Sequence, residues 1–393
     1  MKVLKKIKLR SKQLWIILKY LTIKLFSVFT STKKYKDVWL IAERGDEARD
    51  NGYAFYKYME ENHPEKNFYY IIKKNSPDIY KIDPSRIIFY QSSKHIKYYM
   101  NAKYLLSTHI LGFSPEFRSF GKLAKRFKIF DCKGKKIFLQ HGIIQSYIEY
   151  LTSSSIDLDL FICGAKKEYD FILKNFGFDE SVVKYTGLAR YDFLKNLQKK
   201  NEKEILFMPT WRKELFYLSD SDFIKSDYYK NIINILNNEK LQEKLKDNNI
   251  KLIFYPHYEI QKRISIFNIK NENIIIASSK EYDVSELLKS VDMLITDYSS
   301  VFFDVAYQYK PICYFQYDYE QFIKNQYGDG YFDFKTLGFG DVSTNVSDLV
   351  DNIIRVIDRN FVMEDNYKKR VNSFFVYNDT HNCDRIYNEI IKK

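Results

Sequence analysis

What most constrains this chain is a rhythm that runs twice. From Lys36 onward, short β-rich runs alternate with helical stretches. Val38-Trp39-Leu40-Ile41 opens the first series, and Glu47 to Glu61 reads as a helix ending before His63-Pro64. Phe68 to Ile72, Arg86 to Tyr90, Tyr104 to Ser107, Lys136 to Leu139, Leu158 to Cys163 and Val182 to Tyr185 follow as strands. After a charged stretch, Lys199 to Glu204, the rhythm restarts with Ile205 to Met208, Leu252 to Tyr255, Ile274 to Ile276, Met293 to Thr296 and Pro311 to Tyr314. Its predicted helices include Tyr228 to Asp247 and Ser285 to Ser290. Strand-then-helix alternation requires a parallel sheet with helices on both faces. The 393 residues suffice for two such units. The expected architecture is therefore two doubly wound α/β domains with a cleft between them. In open α/β sheets ligands bind beyond the carboxyl ends of the strands, so the residues just after each run are the ones to read for chemistry.

The formal net charge of +13 suggests nucleic acid until it is located. Residues 1–36 hold eleven Lys or Arg and no acid, which leaves the remainder at +2. A near-neutral body without a basic–aromatic platform excludes a nucleic-acid partner. Within the basic segment Leu14, Ile17, Leu18, Leu21, Leu25 and Val28 recur at three- and four-residue steps, forming one apolar helix face. No apolar run there reaches the roughly 18 residues of a spanning helix, and a secretory signal would show a longer apolar core. A basic amphipathic helix on an anionic leaflet fits, with Lys5, Lys6, Lys8, Arg10, Lys12 and Trp15 as membrane residues. A core helix that is basic outside is the alternative. The expected organisation is a membrane-associating segment at 1–36, a first Rossmann-like domain at 37–198 and a second at 199–393.

Four cysteines, Cys132, Cys163, Cys313 and Cys383, lie far apart without a CxxC. They offer neither a zinc site nor a disulfide framework and point to the reducing cytosol. The P-loop, GxGxxG and GxSxG fingerprints are absent. What remains are polar residues directly after strands. Gln140-His141-Gly142 follows Ile137-Phe138-Leu139. A histidine at a strand end serves as general base near neutral pH, and the glycine lets substrate approach the backbone. A hydrogen-bonded structural histidine is the equally open alternative. In Met208-Pro209-Thr210-Trp211-Arg212, the arginine offers a fork of donors suited to phosphate, or a surface charge. Pro256-His257 again stands just beyond a strand. In Ile295-Thr296-Asp297-Tyr298-Ser299-Ser300 a strand runs into Asp297, and both serines stand where a helix begins. Their hydroxyls and the free backbone N–H groups suit a pyrophosphate; a plain helix cap is the alternative. Asp157-Leu158-Asp159 matches the DxD pattern of metal–nucleotide sites, but it leads into Leu160 to Cys163, and strand alternation accounts for it.

Several strings together resemble a known family. They are His141-Gly142, Gly187-Leu188-Ala189-Arg190-Tyr191-Asp192, Pro209-Thr210-Trp211-Arg212, Pro256-His257 and, most specifically, Ser290 through Asp304. Asp50-Asn51, Lys310-Pro311-Ile312 and Gly328-Asp329-Gly330-Tyr331-Phe332-Asp333 also suit the pattern. The family is the CDP-glycerol glycerophosphotransferases, the teichoic-acid primases and polymerases and related capsule enzymes, and the resemblance spans roughly residues 37–340. It implies a GT-B fold and peripheral attachment to the cytoplasmic face of the cell membrane. It also implies a reaction in which an acceptor hydroxyl attacks the β-phosphorus of CDP-glycerol, moving glycerol phosphate and releasing CMP. The implied partners are CDP-glycerol or another CDP-polyol, a lipid-linked saccharide or polymer acceptor, and an anionic membrane surface; no metal or other cofactor is required. By position, His141 matches the catalytic base and His257 the second histidine, which contacts the donor phosphates. Ser299 and Ser300 match the phosphate cradle, Thr210, Arg212 and Asp297 fall on donor-side motif positions, and Gly142 and Asp50 on the acceptor side.

The chain departs from the pattern twice. Ile143-Ile144 stand where many members carry Thr-Pro, and Tyr255 stands where a basic residue often precedes the second histidine by two. These departures leave CDP-ribitol or another activated polyol open as the donor. The alternative function is a GT-B glycosyltransferase using a nucleotide sugar for a cell-surface polysaccharide. Such enzymes typically place a glutamate near the ribose, where this chain has Asp304 and Ser299-Ser300.

Overall fold

A computed structural model of the chain describes residues 2–27, 35, 37–116, 120, 123, 126–194, 202–326 and 330–393. Val28, Gly328 and Asp329 lie outside the described residues, as do the side chains of Lys5, Lys6 and Lys8. The chain divides into two compact units. One comprises Met1–His141, Glu149–Phe193 and Asp379–Lys393; the other comprises Gly142–Ile148 and Leu194–Asn378.

The first unit is built on seven strands: β1 (Val38–Ala42), β2 (Asn67–Ile72), β3 (Ile87–Phe89), β4 (Tyr104–Ser107), β5 (Lys135–Phe138), β6 (Leu160–Cys163) and β7 (Val183–Tyr185). Their order is β3-β2-β1-β4-β5-β6-β7, and every pair is parallel. Every residue of β1 and β4 is buried. Burial on both faces is why these strands read as continuous apolar runs rather than as alternating ones. The strand order reverses between β1 and β4, the switch point at which open α/β sheets take ligands. The helix predicted from Glu47 begins instead at Asn51 and ends at Asn62, because Asp50 caps it by accepting from the Asn51 backbone N–H.

The first helix, Lys2–Ser27, docks on this unit through Ile16 and Tyr20, both fully buried. The Tyr20 ring stacks on Phe130 at 5.3 Å, and its hydroxyl donates to the Ile129 carbonyl at 2.9 Å. Burial of two such side chains contributes about 1.5–3 kcal/mol each. The predicted stripe is therefore split. Ile17 and Leu21 pack partly inward, whereas Leu14, Leu18 and Leu25 are exposed beside Trp15 and Phe26. Arg10 and Lys12 are exposed as well. Among the described residues no helix is long and apolar enough to cross a membrane.

The second unit has six parallel strands: β8 (Lys203–Phe207), β9 (Ile250–Phe254), β10 (Ile274–Ile276), β11 (Met293–Thr296), β12 (Ile312–Phe315) and β13 (Gly340–Ser343). Their order, β10-β9-β8-β11-β12-β13, repeats that of the first six strands of the other sheet. Its switch point lies between β8 and β11. The helix predicted over Tyr228 to Asp247 is two helices, Asp227–Leu236 and Glu239–Asp247, because Asn238 caps the second by accepting from the Leu241 N–H.

The expected boundary at 199–393 needs correction at its far end. The last helix, Asn382–Ile391, belongs to the first unit. Asp192 accepts from the backbone N–H of Asn382 at 2.9 Å and of Cys383 at 2.7 Å, supplying that helix with its cap. Gly187 has φ +81°, and a Cβ there would lie 1.8 Å from Asn382 Oδ1, so only glycine fits. Part of the Gly187-to-Asp192 string is thus spent on seating the end of the chain.

Candidate active site

In the first unit, His141 follows β5 after a strained residue. Gln140 has φ +62°, a left-handed conformation that costs a non-glycine residue about 1–2 kcal/mol. Its side chain offsets this cost by donating to the Ile162 carbonyl at 2.5 Å and to Glu168 Oε1 at 3.0 Å. Its own carbonyl accepts from Asn51 Nδ2 at 2.7 Å. The turn leaves the His141 side chain 67% exposed while Asp50 is only 12% exposed.

His141 Nδ1 donates to Asp50 Oδ2 at 2.5 Å. A carboxylate partner fixes the proton on Nδ1, so the neutral imidazole keeps its lone pair at Nε2. That nitrogen has no hydrogen-bond partner among the described residues. The second oxygen of Asp50 accepts from Arg190 Nη1 at 2.8 Å, and the same nitrogen donates to the His141 carbonyl at 2.6 Å. The charge of Asp50 raises the His141 pKa above the ordinary imidazole value, against burial and the cations Arg190 and Arg44. Burial pushes Asp50 up, but His141 and Arg190 outweigh it and hold the carboxyl below its usual range.

Two switch-point residues complete the surroundings. Glu43, buried just after β1, accepts from the backbone N–H groups of Arg49 (3.1 Å), Asp50 (2.9 Å) and Tyr53 (2.9 Å), which fixes the loop carrying Asp50. Burial and the neighbouring Asp50 charge raise its pKa. His109, just after β4, lies with its ring centroid 4.9 Å from that of His141 and accepts from Arg44 Nε at 2.6 Å. Asp50, His109 and His141 each bring a ligand atom within 4.8 Å of the others, close enough for one cation. Arg190 and Arg44 already bond two members of this set, and their charges oppose a further cation.

In the second unit, the residues expected to hold the donor separate into two groups. Arg212 is not a free fork. It is 3% exposed and donates through Nε and Nη2 to Asp318 at 2.6 and 3.0 Å and through Nη1 to Asp297 Oδ2 at 2.9 Å. Asp297 is spent as well: Oδ1 accepts from the backbone N–H groups of Thr210 (2.8 Å) and Tyr298 (2.6 Å). Both are buried because each neutralises the other, and the pair braces the switch point. Thr210 follows β8, and its hydroxyl is buried without a partner among the described residues.

His257, Ser299 and Ser300 are different. His257 stacks on Trp211, with ring centroids 5.8 Å apart and planes at 21°, and burial lowers its pKa. Ser299 and Ser300 are half-buried ahead of the helix Val301–Tyr307, and the Ser300 hydroxyl makes no capping bond. Gly142 is half-buried directly after His141. The Asp157-Leu158-Asp159 string is tied down: Asp159 accepts from Lys135 Nζ at 3.0 Å and the Lys136 N–H at 2.9 Å, and Asp157 pairs with Lys136 Nζ at 3.0 Å.

Sequence reasoning gave no role to Glu43, Arg44, His109, Arg190 and Asp318. The signal for three of them was present. Glu43-Arg44 and His109 directly follow the runs that became β1 and β4, the same rule that picked out His141.

The family model described as CDP-glycerol:poly(glycerophosphate) glycerophosphotransferase matches residues 23–392. The minor teichoic acid biosynthesis protein GgaB of Bacillus subtilis (strain 168) is 36% identical over 380 residues, covering 93% of this chain and 41% of that protein. The teichoic acid poly(glycerol phosphate) polymerase of the same strain is 22% identical over 397 residues, covering 92% of this chain and 51% of that protein. The chain spans about half the length of these curated relatives, or less. The wall teichoic acid polymerase TagF, in a form soaked with CDPG, shares the fold at a TM-score of 0.70 and 19% identity, covering 98% of this chain and 96% of that one. With a family model spanning nearly all of it, this chain belongs to the CDP-glycerol:poly(glycerophosphate) glycerophosphotransferase family.

Proposed function

We propose that the chain transfers glycerol phosphate, or a related polyol phosphate, from a CDP-activated donor to a hydroxyl of a membrane-linked acceptor in teichoic acid or capsule polymer synthesis. One observation carries this reading: Asp50 holds His141 by Nδ1 and leaves Nε2 as an exposed base. The acceptor hydroxyl gives its proton to Nε2 as its oxygen attacks the β-phosphorus. The bond from that phosphorus to the bridging oxygen breaks, and CMP leaves with the electron pair. Asp50 stabilises the imidazolium that forms.

His257, Ser299 and Ser300 take the donor phosphates. The neutral imidazole of His257 and the two hydroxyls supply polar groups there, and the Arg212–Asp297 pair with Thr210 holds the loops in place behind them. Family membership supports the donor class, and the two doubly wound sheets support a GT-B architecture with acceptor and donor served by different domains. The exposed Leu14, Trp15, Leu18, Leu25 and Phe26, beside Arg10 and Lys12, support attachment of the first helix to the anionic cytoplasmic leaflet.

The test is incubation with CDP-glycerol and, in parallel, CDP-ribitol, each with a lipid-linked acceptor, followed by mass measurement of the product. Acceptor mass increments of one polyol phosphate with matching CMP release are expected. Consumption of a nucleotide sugar, with neither CDP-polyol used, would put the glycosyltransferase reading in its place.

A further inference from the structure

We propose that Arg44, steered by His109, forms an anion subsite beside His141 that takes a substrate phosphate. Of the arginines around the two switch points, Arg49 is neutralised by Asp78, Arg190, which reaches in from beyond β7, by Asp50, and Arg212 by Asp297 and Asp318. Arg44 is exposed and differs in its partner. Its Nε donates to a neutral ring nitrogen, His109 Nε2, at 2.6 Å. Among the described residues no carboxylate pairs with Arg44, and both of its Nη groups are without a partner. A guanidinium gripped by Nε with its Nη fork free is pre-set for two parallel bonds to a phosphate.

His109 is built to stay uncharged in this role. Burial, then the nearby His141 and Arg44, push its pKa down to about 3, against a smaller upward pull from Asp50. It therefore remains an acceptor at Nε2 at neutral pH, with Nδ1 beside Thr108 Oγ1 at 3.0 Å. The close approach of the two loops depends on Gly112, where a Cβ would lie 2.3 Å from the Glu43 carbonyl oxygen and 2.2 Å from Ser107 Oγ. A cationic fork thus stands near the base with no carboxylate paired to it among the described residues. His109 is a positioning residue, and Arg44 is the group that meets the ligand.

The identity of the anion as phosphate rests on the function proposed above, which brings phosphate to the hydroxyl that His141 deprotonates. The phosphate belongs either to the growing end of the acceptor or to the donor. The test is a titration of the full chain with glycerol phosphate and, separately, with CDP-glycerol, following the ring NMR signals of His109 and His141. Wild type is expected to bind at least one of the two, and Arg44→Gln to bind it about ten- to a hundredfold more weakly, the loss of a charge-assisted pair. Arg44→Lys should recover part of the binding, and His109→Phe should weaken it with Arg44 present. Loss toward glycerol phosphate assigns the acceptor end; loss toward CDP-glycerol alone assigns the donor. Equal affinities of wild type and Arg44→Gln for both ligands, or no binding of either, overturn the subsite. Ring shifts abolished by Arg44→Gln in a protein that releases no CMP from any CDP-polyol would keep the subsite and refute the proposed reaction.

Discussion

The carboxylate of Asp50 meets His141 Nδ1 at 2.5 Å and is also the cap of the helix Asn51–Asn62. One side chain starts a helix and orients a base, so the position of the imidazole inherits the rigidity of the helix start. The neighbouring Asn51 reinforces this by bridging the Gln140 carbonyl and the Arg190 N–H.

Asp50→Asn keeps a capping oxygen and removes the charge. It should lower kcat by about 10²–10⁴, the range for a misoriented or unsupported histidine base. The base works when neutral, so activity rises as pH passes through the His141 pKa. Asp50 holds that pKa up against Arg44 and Arg190, so the rise should move to lower pH in the variant. An unshifted kcat–pH profile would remove Asp50 from this role.

Arg212→Ala leaves Asp297 and Asp318 buried without their cation. It should cost about 3–5 kcal/mol of unfolding free energy, the penalty for breaking a buried pair, read by urea titration. A variant as stable as wild type with only a raised donor KM would restore Arg212 as a phosphate ligand.

Glu43 predicts a pH signature in stability. Burial raises its pKa to about 8, whereas the unfolded chain has an ordinary carboxylate near 4.3. Stability from this group is complete below the unfolded value and is lost as pH rises through about 8. The difference in unfolding free energy between wild type and Glu43→Gln should fall between roughly pH 5 and 8, by at most about 1.4 kcal/mol per pH unit. A difference flat across that range would contradict the buried, proton-holding carboxyl.

Leu14→Glu, Leu18→Glu and Leu25→Glu together should release the protein from anionic vesicles in co-sedimentation while leaving its melting temperature unchanged, because these side chains are exposed. Removal of the whole helix is a poorer probe, since it also uncovers the surface that buries Ile16 and Tyr20. Continued sedimentation of the triple variant would exclude this face from attachment.

Twelve of the thirteen strands were legible, the central ones most plainly because a strand buried on both faces, such as β1, β4 and β11, reads as an apolar run. The thirteenth, Gly340–Ser343, carries Gly-Asp-Val-Ser at the sheet edge and shows no such run. His141 was legible as a polar residue beyond a strand; its partner Asp50 lies 91 positions away, a pairing made by topology that no spacing rule reports. The partners of Arg212 were hidden for the same reason. An arginine after a strand looks like a ligand fork until Asp297 and Asp318, both distant in sequence, are seen to fill it. The apolar stripe of the first helix was real in composition, but its docked side rests on Ile16 and Tyr20, which a period count centred on leucine passes over.

The most direct test of the account is kcat for His141→Ala beside its melting temperature, with a CDP-polyol donor and a lipid-linked acceptor. The account predicts kcat lower by about 10²–10⁴, an unchanged melting temperature and an unchanged donor KM. A variant that melts like wild type and keeps more than about a tenth of its activity would contradict it.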